Sequence, residues 1–412
     1  MPQTLIYNGT IIDGNGGAPL PDGAILIDGD HITTIATGNT LPRHDADITR
    51  IDAHKGYILP GLIDAHVHIS MEVEDQRKMM ATPFSLNYYK LINYMRNTLD
   101  AGITTVRDAG GADLGIKQAV EQGYIAGPRM QISINALTIT GGHGDGWLPS
   151  GTDYRLWADH PGRPNGRCDG VDAVRQKARE MLRAGAEVLK VHATGGVLSP
   201  TDHPEFTQFT QEELEAIVQE GKYRRGIKVM AHAQGSEGIK NCVRAGIHSI
   251  EHGIYLDDEC LELMVKHGTY LVPTLLAPVA VTEIPNMPEW GIRKAYEVIE
   301  IHRDSISRAY KAGVKIAMGT DAGVMPHGTN LRELGLMMEC GMKPMEVLVA
   351  TTRTAAECMG WQDRVGTLEP GKYADVVISR VNPLENMRGL ENRDNIAFVM
   401  KGGQVIKDIR KQ

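Results

Sequence analysis

A chain of 412 residues with formal net charge −8, 42% hydrophobic and 23% charged residues, is composed like a water-soluble globular protein too long for one ordinary domain. Its mildly acidic balance argues against nucleic acid as a partner, because phosphate binding needs a basic face. No run of roughly 18 apolar residues is there to span a membrane.

In chain order, the first segment, MPQTLIYNGTIIDG, reads as a strand and turn at once, without the basic start and apolar block of a signal peptide. Residues 1–55 continue as short strands punctuated by Gly and Asp, among them GAILIDGDHITTIATG. Then the pattern changes. Eight short apolar runs follow: YILPGLIDAHVH, TTVRD, QISIN, EVLKVHA, KVMAHA, HSIEHG, TYLVPT and KIAMGTD. Amphipathic stretches such as VDAVRQKAREMLRAGA and EELEAIVQEGKYRRG separate them, the second preceded by a capping box of Thr210 and Glu213.

Strands alternating with helices over residues 56–359 predict a (β/α)8 barrel of the TIM type. A doubly wound sheet would want a Gly-rich phosphate turn after its first strand, and none is present. Residues 360–412 return to strands: a buried run in GTLEPGKYADVVISRV, then a hairpin about Gly402 and Gly403 in AFVMKGGQVIKD. Both chain ends together, 1–55 plus 360–412, are expected to form one small β-sandwich domain. One connection is long, residues 136–170, rich in Gly, Pro and Asp, with Trp147 and Trp157 embedded. It follows a barrel strand, which places it on the face where barrel active sites lie.

Five scattered cysteines with no Cys-x-x-Cys point to free thiols in a reducing cytoplasm, so any metal must use histidine and carboxylate ligands. His66 and His68, two residues apart in a strand, project to one side. Lys190, His232, His252 and Asp321 each sit at or near the C-terminal end of another predicted strand. In a closed barrel those ends converge, giving four imidazoles, an amine and a carboxylate in one pocket. An ammonium cannot ligate a cation. Lys190 is therefore an ion-pair partner for Asp321, or a neutral amine that has added CO2 to become a carbamate. Arg107 and Asp108 in TTVRDAGG are expected to pair with each other beneath the site.

This set resembles the amidohydrolase superfamily over nearly the whole chain: LIDAHVHI, LKVHATGGVLSP, VMAHAQG, SIEHG and MGTDAG, with GTLEPGKYADVV and VMKGGQVI as flanks. TGGHGD and HATGGVLSP look most like the imidazolonepropionase-like branch that includes Xaa-Pro dipeptidases. The resemblance implies hydrolysis of an amide C–N bond by a hydroxide bridging two divalent metal ions, zinc for preference. His66, His68 and Asp321 would hold one ion and His232 and His252 the other, bridged by carbamylated Lys190. Asp321 would act as general base and then acid. His143 in the long loop is expected to donate to the scissile carbonyl or oxyanion, and His192 and Tyr255 to touch substrate. Where dipeptidase relatives carry His-Ala-Tyr, this chain has His232-Ala233-Gln234, which leaves room for N-acyl amino acids, aryl amides and cyclic amides beside dipeptides. A scaffold without catalysis would have no need of the full ligand set. The expected form is a cytoplasmic homo-oligomer acting on a small-molecule amide.

Overall fold

The computed structural model describes residues 3–38, 48–74, 76–154 and 158–411, so Trp157 lies outside the described residues. Eight strands from both ends of the chain form one sheet. Its order is Gln404–Asp408, Ile396–Lys401, Val376–Ser379, Tyr57–Pro60, Thr4–Ile11, Leu20–Asp28, His31–Thr37, with Thr49–Asp52 also paired to Thr4–Ile11. Alternating apolar positions give this sheet its own core, where Ile6, Ile25 and Ile27 meet Ile58, Ile378 and Phe398. The Ile396–Lys401 and Gln404–Asp408 strands turn through Gly402 (φ 53°) and Gly403 (φ 73°), the left-handed pair that a two-residue hairpin needs.

The run YILPGLIDAHVH, expected as one strand, is two. Tyr57–Pro60 belongs to the two-ended sheet and Leu62–Val67 to the parallel system. Gly61 is the joint: a Cβ there would lie 2.1 Å from Thr104 Oγ1. Pro60, with no N–H to give, ends the first piece.

All eight apolar runs contain parallel strands. Leu62–Val67, Ile103–Asp108 and Arg129–Ile132 pair in that order. Ala136–Leu137, Val188–His192, Lys228–Ala233, Ser249–His252, Tyr270–Val272 and Lys315–Ile316 form a second set. Glu187 N–H donates to Ile132 O at 2.8 Å between the sets. On the other side Ala65 N–H donates to Met318 O at 3.0 Å, and Val67 bridges Ala322.

Helices intervene as the periodicity predicts. Val171–Arg183 buries Val174, Ala178, Met181 and Leu182, and Gln211–Tyr223 carries the Thr210/Glu213 capping box with both bonds made. Among the described residues no helix is long and apolar enough to cross a membrane. The long 136–170 connection is pinned by short bridges, Thr138 with Arg167, Trp147 with Asp153 and His160 with Arg163.

Candidate metal centre and catalytic cavity

The strand ends bring His66, His68, Lys190, His232, His252 and Asp321 to the floor of one cavity of about 300 Å³. Ring centroids step across it: His66 to His252 at 5.1 Å, His252 to His232 at 4.6 Å. Asp321 does not lie on a regular strand. The regular part of KIAMGTD is only Lys315–Ile316, and Asp321 sits at φ 64°, its N–H held by His66 O at 2.7 Å. His252 also has positive φ, 74°. Two non-glycine residues held in the left-handed region at one site are the strain that functional geometry stores.

Each histidine commits one ring nitrogen to a protein partner. His66 Nδ1 meets Glu251 Oε2 at 2.7 Å, and His68 Nδ1 meets Gly110 O at 2.9 Å. His252 Nδ1 meets Thr274 Oγ1 at 2.6 Å, and His232 Nε2 meets Gly195 O at 2.9 Å. A carboxylate and a carbonyl only accept, so His66 and His68 carry a proton on Nδ1, which turns Nε2 of each toward the cavity. Those two nitrogens stand 3.5 and 3.3 Å from the buried Asp321 Oδ1. Ligand atoms of His66, His252 and Asp321 lie within 4.8 Å of one another. Buried imidazole nitrogens and a carboxylate gathered this closely fit a divalent cation, and the nitrogen–oxygen mix suits zinc, manganese or cobalt. Burial drives the imidazoles of His66, His232 and His252 well below their ordinary pKa, which keeps them neutral. Burial opposes the same charge on His68, but the hydrogen bond and charge of Asp321 raise it.

Lys190 is 2% exposed, and its Nζ lies 3.5 Å from His66 Nε2. Among the described residues it forms no ion pair with Asp321. Burial pushes its pKa down to about 8, against the opposing pull of Glu251 and Asp321.

Beneath the ligands lies a buried pair that the sequence reading placed differently. Arg107 pairs with Glu251 at 2.9 Å and donates to Ala65 O and Ser249 Oγ. Asp108 instead accepts N–H bonds from Ile69, Gly110 and Ala112. Neighbours in a strand face opposite sides, so Arg107 and Asp108 do not pair. Glu251 thus serves His66 with Oε2 and Arg107 with both oxygens, orienting a candidate ligand. Its sequence signal was a carboxylate in an otherwise apolar strand, SIEHG. Asp64 acts similarly, accepting from His66 N, Thr320 N, Thr320 Oγ1 and Asn330 Nδ2, which ties the Asp321 segment to the first strand.

His143 and His192 line the cavity above His232. The His143 ring stacks on His232 at 4.3 Å, and His192 lies 5.1 Å from His143 edge-on. Ser199 and Asp202 stand behind His143, with Ser199 Oγ 2.8 Å from its Nδ1. Nothing in the turn-like SPTDH marked them beforehand. Gln234 lines the cavity, its Oε1 buried and unbonded. Tyr255 is not among the lining residues; its backbone N–H reaches Gln234 O at 2.8 Å and its side chain packs partly buried against the barrel core. The far wall is apolar: Val197 and Leu198, Val281, Ile284, Met287 and Trp290, and Trp147 of the long connection.

The profile of the Amidohydrolase family matches residues 57–406. The chain is 34% identical over 421 residues to ochratoxinase of Aspergillus niger, covering 98% of this chain and 86% of that one. It superposes with TM-score 0.88 and 36% identity on a crystal structure of a Xaa-Pro dipeptidase with bound methionine in the active site, covering 98% of this chain and 99% of that one. A prolidase complexed with N-methylphosphonate-L-proline gives TM-score 0.90 at 32% identity, with 98% and 100% covered. A profile that spans the barrel strands, and relatives matched almost end to end, make the chain a member of the amidohydrolase family.

Proposed function

We propose that the protein is a binuclear metal-dependent hydrolase that cleaves the amide C–N bond of a small molecule. The observation that carries this is the convergence of His66 Nε2, His68 Nε2 and Asp321 Oδ1 on one buried spot, with His252 beside them. His66, His68 and Asp321 would hold one ion, His232 and His252 the other, and carbamylated Lys190 would bridge them. When bound, such ions acidify water and polarise a carbonyl. Asp321 accepts the proton of the attacking water and delivers it to the leaving nitrogen. His143 faces the scissile carbonyl, and His192 contacts substrate beside it.

The hydrolytic relatives, ochratoxinase and a Xaa-Pro dipeptidase, support hydrolysis of a small-molecule amide, a dipeptide or N-acyl amino acid first. Gln234, with no phenol to give, and the apolar far wall support an N-acyl or aryl amide with one bulky apolar side as readily as a dipeptide. The Ala65–Met318 and Glu187–Ile132 bonds support a closed barrel over residues 56–359, and the two-ended sheet supports a second domain of residues 1–55 plus 360–412. Five buried free cysteines support a cytoplasmic setting, and exposed Phe84, Leu86 and Tyr89 along one helix support a homo-oligomer.

The test is a screen of dipeptides, N-acyl amino acids, aryl amides and lactams with metal-loaded protein, beside metal analysis. About two equivalents of zinc, manganese or cobalt and turnover of one class are expected. Lys190→Ala should lose most metal and nearly all turnover, with partial return on adding short carboxylic acids. A metal-loaded crystal with an unmodified ammonium at Lys190 overturns the bridge.

A further inference from the structure

Lys294 lies in the helix Glu289–Ala312 on its buried stripe, with Gly291, Ala295, Val298 and His302. A lysine there should carry a desolvation penalty unless its donors are met. They are met by one loop. The ammonium donates to Gly196 O at 3.1 Å, Ser199 O at 2.7 Å and Asp202 O at 2.5 Å. Three N–H groups thus meet three backbone carbonyls of a seven-residue stretch, which uses the full donor capacity of the side chain. Asp202 Oδ1 stands 3.8 Å away.

The loop so gathered touches the site at three points. Gly195 O holds His232 Nε2. Gly196 lies flat on the His143 ring, where a Cβ would fall 2.3 Å from Cε1. Ser199 Oγ meets His143 Nδ1 at 2.8 Å. The direction of that last bond follows from proton counting. Asp202 can only accept, and the Ser199 hydroxyl donates to its Oδ1, while Gln208 Nε2 donates to Oδ2 at 3.1 Å. The single hydroxyl proton is committed to Asp202. Ser199 Oγ therefore accepts from His143, and Nδ1 carries the proton.

We infer that Lys294 is a positioning residue for the active site: its ammonium shapes the Gly195–Asp202 loop, and through Ser199 and Asp202 the loop fixes His143 with Nδ1 toward the protein and Nε2 toward the cavity. The inference rests on His143 serving amide hydrolysis, and it explains why a cation is buried where no substrate reaches. Without it three carbonyls lose their donors and the loop must rearrange to find water.

The experiment is a double-mutant cycle on the metal-loaded enzyme. Lys294→Met should retain metal content and cooperative unfolding but lose about 10²-fold in kcat, the scale of a small misplacement of an active-site group. In a His143→Ala background the same substitution should cost almost nothing more, because both act through one ring. Long-range ¹H–¹⁵N spectra of histidine-labelled protein near pH 9 should show His143 as the Nδ1–H tautomer in wild type and a mixture in Lys294→Met. Additive losses, unchanged kinetics or an unmoved tautomer overturn the inference. If Lys294→Met does not fold, Ser199→Ala cuts the same chain at its last link and must show the same non-additivity. Wild-type protein that cleaves no amide refutes the hydrolase reading alone, since the tautomer is read without substrate.

Discussion

At the end of the cavity that holds the candidate ligands the side chains are held by further buried polar groups, whereas the opposite wall is mostly apolar side chains, among them Trp290 on the helix Glu289–Ala312. His66 is held by Glu251, Glu251 by Arg107 and Ser249, and Asp64 ties the Asp321 segment to the same strand. The far wall, from Val281 through Met287 to Trp290, offers a mostly apolar surface. Chemistry is built where strands and charged partners fix position to a fraction of an ångström. Selectivity is built where side chains can change without disturbing that frame.

The contrast breaks first at Asp321. Asp321→Asn can still coordinate through its amide oxygen but cannot take a proton, so turnover at saturating metal should fall by about 10²–10⁴-fold. Retention of more than roughly a tenth of wild-type kcat would move the base role to His143.

Glu251→Gln tests the support one layer down. It leaves the buried Arg107 guanidinium without its anion and His66 without its carboxylate. Metal affinity should drop about 10–100-fold, and unfolding free energy by about 3–5 kcal/mol. Metal titration and denaturant melts read the two effects separately, and an unchanged metal constant would sever Glu251 from the centre.

At the far wall, Met287→Ala should raise KM about tenfold for amides with a bulky apolar side. Small amides and bound metal should be unaffected. A loss shared by every substrate would mean that the two ends are not independent.

The smallest effect is a pH dependence. Burial alone would raise Asp202, but the hydrogen bond and charge of His143, with Ser199, bring it down to about 2 from 3.8. Between those values the unfolded chain binds the extra proton, so stability rises with pH through this window. It is fully present above about pH 4 and lost as pH falls through 2. The difference is about 2 kcal/mol. Acid unfolding of metal-free Asp202→Asn should show a shallower slope from pH 4 to 2 than wild type; parallel curves would remove Asp202 from the balance.

The sequence by itself determined the alternation of strands and helices, the Thr210 cap, the Gly402–Gly403 turn and the six strand-end residues that meet on the cavity floor. Each follows from a local rule: a periodicity, a cap, or the parity of side chains along a strand. Only the tertiary structure decided that YILPGLIDAHVH divides at Gly61 between two sheets, because the reason is the approach of Thr104 from a strand more than forty positions away. It likewise decided that Arg107 belongs to Glu251 and that Lys294 grips the loop behind His143. Those partners lie 144 and 95 residues apart in the chain. No local pattern encodes a hydrogen bond whose donor and acceptor meet only after the barrel has brought their strands and loops together.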